Sequence, residues 1–200
     1  MPTSKTKPKP PSLLRHGFKA EAERTAVDYR KKLDLEPHDP LPAAMLADHL
    51  QVRILTPQDI PGMTSDILGI LLGEGSYNWS AAIYEREGKR YVIHNPTHSP
   101  GRQESNLMHE LAHAHLMHTF SSLQTVIKNL LIPLRNYDKV QEAEAECLGS
   151  CLQLPQTALK YHTFARKKSA EQIAEQFNAS LEMVNFRLRM SGVNIIQSRR

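Results

Sequence analysis

The sequence predicts an α+β fold: a mainly helical body with a small antiparallel sheet, followed by a small C-terminal helical segment. Three observations carry this. Apolar residues recur every three or four positions over several windows, the period of an amphipathic helix. Residues 79–86 and 89–94 read as two strands joined by the hairpin turn Glu87-Gly88. After residue 168, apolar positions return at helical spacing in two short runs with a tight connection between them.

Taken in order, residues 1–13 are rich in Pro, Lys and Ser and read as a disordered basic tail. Phe18, Ala22, Ala26, Tyr29 and Leu33 mark one face of a helix that Pro37 and Pro40 end. A short helix over 42–50 and a strand over 52–55, stopped by Pro57, follow. Residues 64–76 are ambiguous; a short helix capped at Ser65-Asp66 and closed by Gly73 and Gly75 is one reading. After the hairpin, Asn95-Pro96 and Ser99-Pro100-Gly101 make a loop. Helical spacing returns over 103–117 and again over 141–154, where Pro155 stops it. The last two helices flank Asn178-Ala179-Ser180. The expected division is a tail at 1–13, a body at 14–160 and a segment at 161–200 packed on the body.

A chain of 200 residues with 40% apolar and 23% charged residues has enough core for one soluble domain. The longest apolar stretch, 67–72, is interrupted by Gly69 and is far too short to span a bilayer. The first residues lack the apolar run of a signal peptide, so a cytoplasmic location is expected. Cys147 and Cys151 lie four apart on a helix, a poor disulfide geometry, and read as free thiols. Two cysteines also exclude a four-cysteine zinc site. The net charge of +4 sits partly at the ends, on Lys5, Lys7, Lys9, Arg199 and Arg200. Such runs are usually solvated tails, and nucleic-acid affinity is the lesser reading.

His109-Glu110-Leu111-Ala112-His113 is an H-E-x-x-H sequence within a helical pattern. Positions i and i+4 project from one helix face about one turn apart, so two imidazoles there can bind one Zn²⁺. The Glu at i+1 is placed to act as general base on a water. The competing reading is a solvated face with a chance His pair. A catalytic zinc site needs a third protein ligand. The next helix offers Glu142, Glu144 and Glu146. Glu144 is rotated about 200° from Glu142 and should point elsewhere, so spacing leaves Glu142 and Glu146 open. His115 and His118, rotated about 240° and 180° from His109, leave the ligand face and read as packed or exposed histidines. His94 and His98 precede the helix, with a weaker claim. Tyr161 and His162 are candidates for a hydrogen bond to a developing oxyanion.

At these residues the chain resembles the ImmA/IrrE family of zinc metallopeptidases. Tyr91, Asn95, Arg102 and Gln103 leading into His109–His113 look like the family's core, and 141–155, from Gln141-Glu142-Ala143 to Leu154-Pro155, resembles its second motif. The resemblance covers most of 17–155 and, more weakly, 169–192. Met108, Ala112, Leu148 and Gly149 depart from the usual residues. The resemblance implies a zincin-like domain with one Zn²⁺ per chain on His109, His113 and Glu142, with Glu110 catalytic and Glu146 a less favoured ligand. Mn²⁺ or Fe²⁺ could occupy the same donors. It also implies a protein substrate, typically a helix-turn-helix repressor in stress responses or mobile-element control, and no membrane partner. Two rivals stand beside it. One is a metal-dependent regulator that binds a partner without cutting it. The other is a DNA reader whose recognition helix carries Arg187 and Arg189, although the same spacing suits an ordinary packed helix pair.

Overall fold

The structure, a computed structural model, describes residues 12–118, 123–127, 130–134 and 138–194. Most of the expected tail, residues 1–11, lies outside the described residues, as do Arg199 and Arg200. The chain opens with α1 (Phe18–Lys32), α2 (Ala43–His49) and β1 (Val52–Leu55). Next come α3 (Ser65–Leu72), β2 (Ala81–Arg86) and β3 (Lys89–His94). The second half contains α4 (Pro100–His115), β4 (Leu123–Ile127), β5 (Leu130–Leu134), α5 (Lys139–Gln153), α6 (Gln156–Lys160), α7 (Ala170–Gln176) and α8 (Leu181–Met190).

The main sheet has the order β1-β3-β2. β2 and β3 form the expected antiparallel hairpin, with Ile83 opposite Val92, and its turn residues Glu87 and Gly88 both have positive φ. β1 lies on the other edge of β3 and runs parallel to it, which makes the sheet mixed. A second antiparallel pair, β4–β5, occupies the connection between α4 and α5, where the sequence reading had assigned no strand.

Helix α1 buries Phe18, Ala22, Ala26 and Tyr29, the face its periodicity marks. α3 exists, but its cap is Thr64: the Ile67 N–H donates to Thr64 Oγ1 at 3.4 Å, so capping falls one residue before the expected Ser65. α4 begins at Pro100, earlier than its apolar period suggested, because proline fits the first helical turn, whose N–H groups lack intrahelical partners. α5 is capped by Asp138, whose Oδ1 accepts from the Val140 and Gln141 N–H groups at 2.8 and 3.1 Å.

Two apolar clusters result. The larger joins α1, α2, the sheet, α4 and α5 through Phe18, Leu46, Val92, Met108, Leu111 and Leu152. The smaller gathers Leu154, Leu159, Ile173, Phe177, Val184 and Leu188 at the C-terminal end. The fully buried Arg30 ties α1 to the end of α5. Its guanidinium donates to the carbonyls of Ala26, Asp39, Leu152 and Gln153, and burial pushes its pKa down to about 10. Among the described residues no helix is long and apolar enough to cross a membrane.

Candidate metal centre

Helices α4 and α5 pack side by side with their functional faces inward. Leu107, Met108, Leu111, Ala112 and Ala114 bury α4 in the core, which turns His109 and His113 toward α5. Close approach depends on Gly149. A Cβ there would lie 3.0 Å from the His109 Cα and from the Met108 carbonyl oxygen. The departure from the family pattern noted at Gly149 is thus the contact that seats α5 against the histidine-bearing turn.

The structure brings together His109, His113 and Glu142. Their donor atoms all lie within 4.8 Å of one another. His109 Nε2 is 3.1 Å from His113 Nε2 and 3.3 Å from Glu142 Oε2, and His113 Nε2 is 3.8 Å from Glu142 Oε1. Donors about 2.0–2.1 Å from a shared Zn²⁺ stand about 3.3–3.4 Å apart in a tetrahedron, so the donor set fits such an ion. The side chain of His113 is fully buried, whereas those of His109 and Glu142 are 30% and 21% exposed. The cluster therefore opens to solvent on the His109–Glu142 side.

Glu110 is 6% exposed and faces the sheet. Its Oε2 accepts from the Ile83 N–H on β2 at 3.1 Å. Among the described residues β2 is an edge strand; this amide points away from β3, and the carboxylate sits along the outer rim of the sheet.

The other candidates fall elsewhere. Glu146 lines a cavity of about 590 Å³ with Glu23, Cys147, Cys151 and Arg187. Cys147 and Cys151 are free thiols. Tyr161 and His162 lie in a π-helical turn after α6. The Tyr161 hydroxyl accepts from Arg166 Nε at 2.8 Å, and His162 Nε2 donates to the His38 carbonyl at 3.0 Å. Burial lowers the pKa of His94, and burial together with Arg102 lowers that of His98. The Asn106 amide donates to His98 Nδ1 at 3.2 Å. Burial and Lys32 lower the pKa of His115, whose Nδ1 shares a hydrogen bond of 2.5 Å with the Tyr29 hydroxyl.

His118 and Glu144 lie off the ligand face, as the rotation argument expects, but they meet behind it. His118 is 8% exposed, with its Nδ1 2.7 Å from His113 Nδ1 and its Nε2 3.3 Å from Glu144 Oε2. Its contact with His113 arises because α4 ends at His115 and the chain reverses there, which helical rotation does not describe. Glu144 does point away from the Glu142 face, but toward a histidine behind the centre. No simple spacing rule finds this pair, since the chain turns back at Met117.

Arg187, proposed for a recognition helix, is buried. Its Nε donates to the Leu154 carbonyl at 2.9 Å and its Nη2 to Glu23 Oε1 at 2.6 Å. That side chain is committed to packing, as the helix-pair reading holds.

A family model for the IrrE N-terminal-like domain, a peptidase family, matches residues 69–189. No curated protein matches the chain.

Proposed function

The chain belongs to the IrrE N-terminal-like peptidase family, a metallopeptidase family, and from that premise we propose that it is a cytoplasmic zinc-dependent endopeptidase of narrow specificity. The observation that carries this reading is the convergence of His109, His113 and Glu142 beside Glu110 and the outer rim of the sheet.

In this reading His109 and His113 offer Nε2 lone pairs and Glu142 offers a carboxylate oxygen to one divalent ion. When bound, Zn²⁺ acidifies water and polarises the scissile carbonyl. Glu110 is the general base: its carboxylate takes a proton from the attacking water and returns it to the leaving amine. The Ile83 N–H fixes the direction of that carboxylate. An extended peptide can add to the outer edge of β2, with main-chain hydrogen bonds holding it along Glu110. Glu146, Tyr161 and His162 have no step in this scheme. Resemblance to the family, rather than site geometry, supports a helix-turn-helix repressor as substrate.

Elemental analysis of purified protein tests the centre. About one zinc per chain is expected in wild type and little in His113→Ala and Glu142→Ala. Zinc lost only from His113→Ala would remove Glu142 from the ligand set. Incubating the zinc-loaded chain with a co-encoded repressor should give two discrete fragments. An intact repressor held in a stable complex would favour the regulator that binds without cutting.

A further inference from the structure

We propose that His118 and Glu144 position His113 for the metal, as a carboxylate–histidine relay behind the ligand that fixes both its tautomer and its ring orientation. The proposal rests on the metallopeptidase reading and adds two residues to it.

The turn after α4 creates the arrangement. Met117 adopts a left-handed backbone with φ 50, a conformation that side chains rarely take. The His118 N–H then donates to the His113 carbonyl at 3.2 Å and the Met117 N–H to the Ala114 carbonyl at 3.4 Å. These two bonds form a Schellman closure, which normally places glycine at the left-handed position. The reversal carries His118 back over the last turn of its own helix and lays its ring against that of His113, centroids 4.8 Å apart. Strained positions of this kind persist where surrounding structure holds them, and they concentrate at functional sites.

The proton assignments follow in sequence. A Glu144 carboxylate only accepts, so the proton of His118 belongs on Nε2, 3.3 Å from Glu144 Oε2. In the relay His118 carries that one proton and presents its Nδ1 lone pair to His113. The atom facing it at 2.7 Å, His113 Nδ1, must supply the hydrogen. That leaves the lone pair of His113 on Nε2, the atom 3.1 Å from His109 Nε2. One carboxylate on α5 thus sets the tautomers of two rings. Glu144 is itself approached by Arg15, with Nε 3.9 Å from Oε1. His118 meets His113 at the nitrogen remote from the donor cluster, so its place is behind the ligand and not beside it. Partners of this kind orient a metal-ligating imidazole and raise its basicity.

The test uses the full chain, with zinc affinity measured by chelator competition and the visible spectrum of the Co²⁺-loaded protein recorded in parallel. His118→Leu should weaken zinc binding by about 10- to 100-fold and broaden the cobalt bands. His118→Gln keeps an acceptor for His113 and a donor for Glu144, and should recover most of the loss with a near wild-type spectrum. Glu144→Ala should weaken binding by about 10-fold, the lower end of that range. Thermal melts of the metal-free variants check folding. If His118→Leu does not fold, Glu144→Ala decides alone, and unchanged affinity in it overturns the proposal. Wild-type affinity in both His118→Leu and Glu144→Ala overturns the relay while leaving the metal centre intact. Loss as complete in His118→Gln as in His118→Leu, with a cobalt spectrum missing one nitrogen donor, overturns it by making His118 a ligand. A wild-type chain that takes up neither Zn²⁺ nor Co²⁺ sinks the metallopeptidase reading itself.

Discussion

Two regions of the molecule bury polar side chains to the same depth and use them differently. Around the metal centre, Glu110, His113 and His118 are nearly inaccessible, and His113 and His118 bond to each other. At the C-terminal cluster, Gln153 and Arg187 are just as buried. There the partners are main chain and side chain alike: Arg187 takes the Leu154 carbonyl and Glu23, and Gln153 donates to the Asn178 carbonyl at 3.2 Å and accepts from Ser105. Burying polar groups is costly in both places unless they are paired. In the second region the pairing fixes helices to one another. In the first, pairing sets the direction of donor atoms that converge on one point. Substitutions should therefore separate function from stability by location.

The largest effect should come from Glu110→Gln. We expect cleavage to fall by about 100- to 10,000-fold, the usual range for a lost general base, with zinc content and melting temperature near wild type. Full turnover in that variant would remove Glu110 from the chemistry. Arg187→Met should give the mirror image: about 3 kcal/mol lost in denaturant unfolding, since a buried pair loses one partner, and zinc affinity unchanged. A tenfold weaker zinc affinity in Arg187→Met would mean that the two regions are coupled. Gly149→Ala sharpens the contrast, because it changes an apolar contact within the metal region. Its methyl group must displace the α4 backbone at His109, so we expect about 1–3 kcal/mol of destabilisation together with weaker zinc binding. The smallest effect is expected for Ser169→Ala, which removes the capping box of α7, in which Ser169 Oγ accepts from the Gln172 N–H at 3.3 Å. About 1 kcal/mol should be lost, again with no change in zinc affinity.

Much of this was legible in the sequence where local rules decide. The α1 face, the β2–β3 hairpin with its Glu87-Gly88 turn, and the pairing of His109 with His113 all follow from short periods. The choice between Glu142 and Glu146 was not, because both lie on one α5 face and only tertiary packing separates them. The contact of His118 with His113 was not legible, since a left-handed methionine is not a signal that composition or period provides. Gly149 was visible as a departure, but its meaning depends on how near α4 comes. The π-helical turn at Tyr161–Ala165 carries no distinctive pattern at all.

Gln153 has a practical consequence for anyone handling the protein. Its Oε1 accepts from Ser105 Oγ on α4 at 2.8 Å while its amide reaches the connection between α7 and α8. Glu23 on α1 likewise accepts from the Gln156 N–H at 2.8 Å as well as from Arg187. The last helices thus behave as a clamp closed over the metal-bearing half. A fragment trimmed at Pro155 would strip the cover from Leu154 and leave Glu23 without Arg187. Such a fragment should be protease-sensitive and prone to clumping, and the shortest piece worth producing runs at least through Val193.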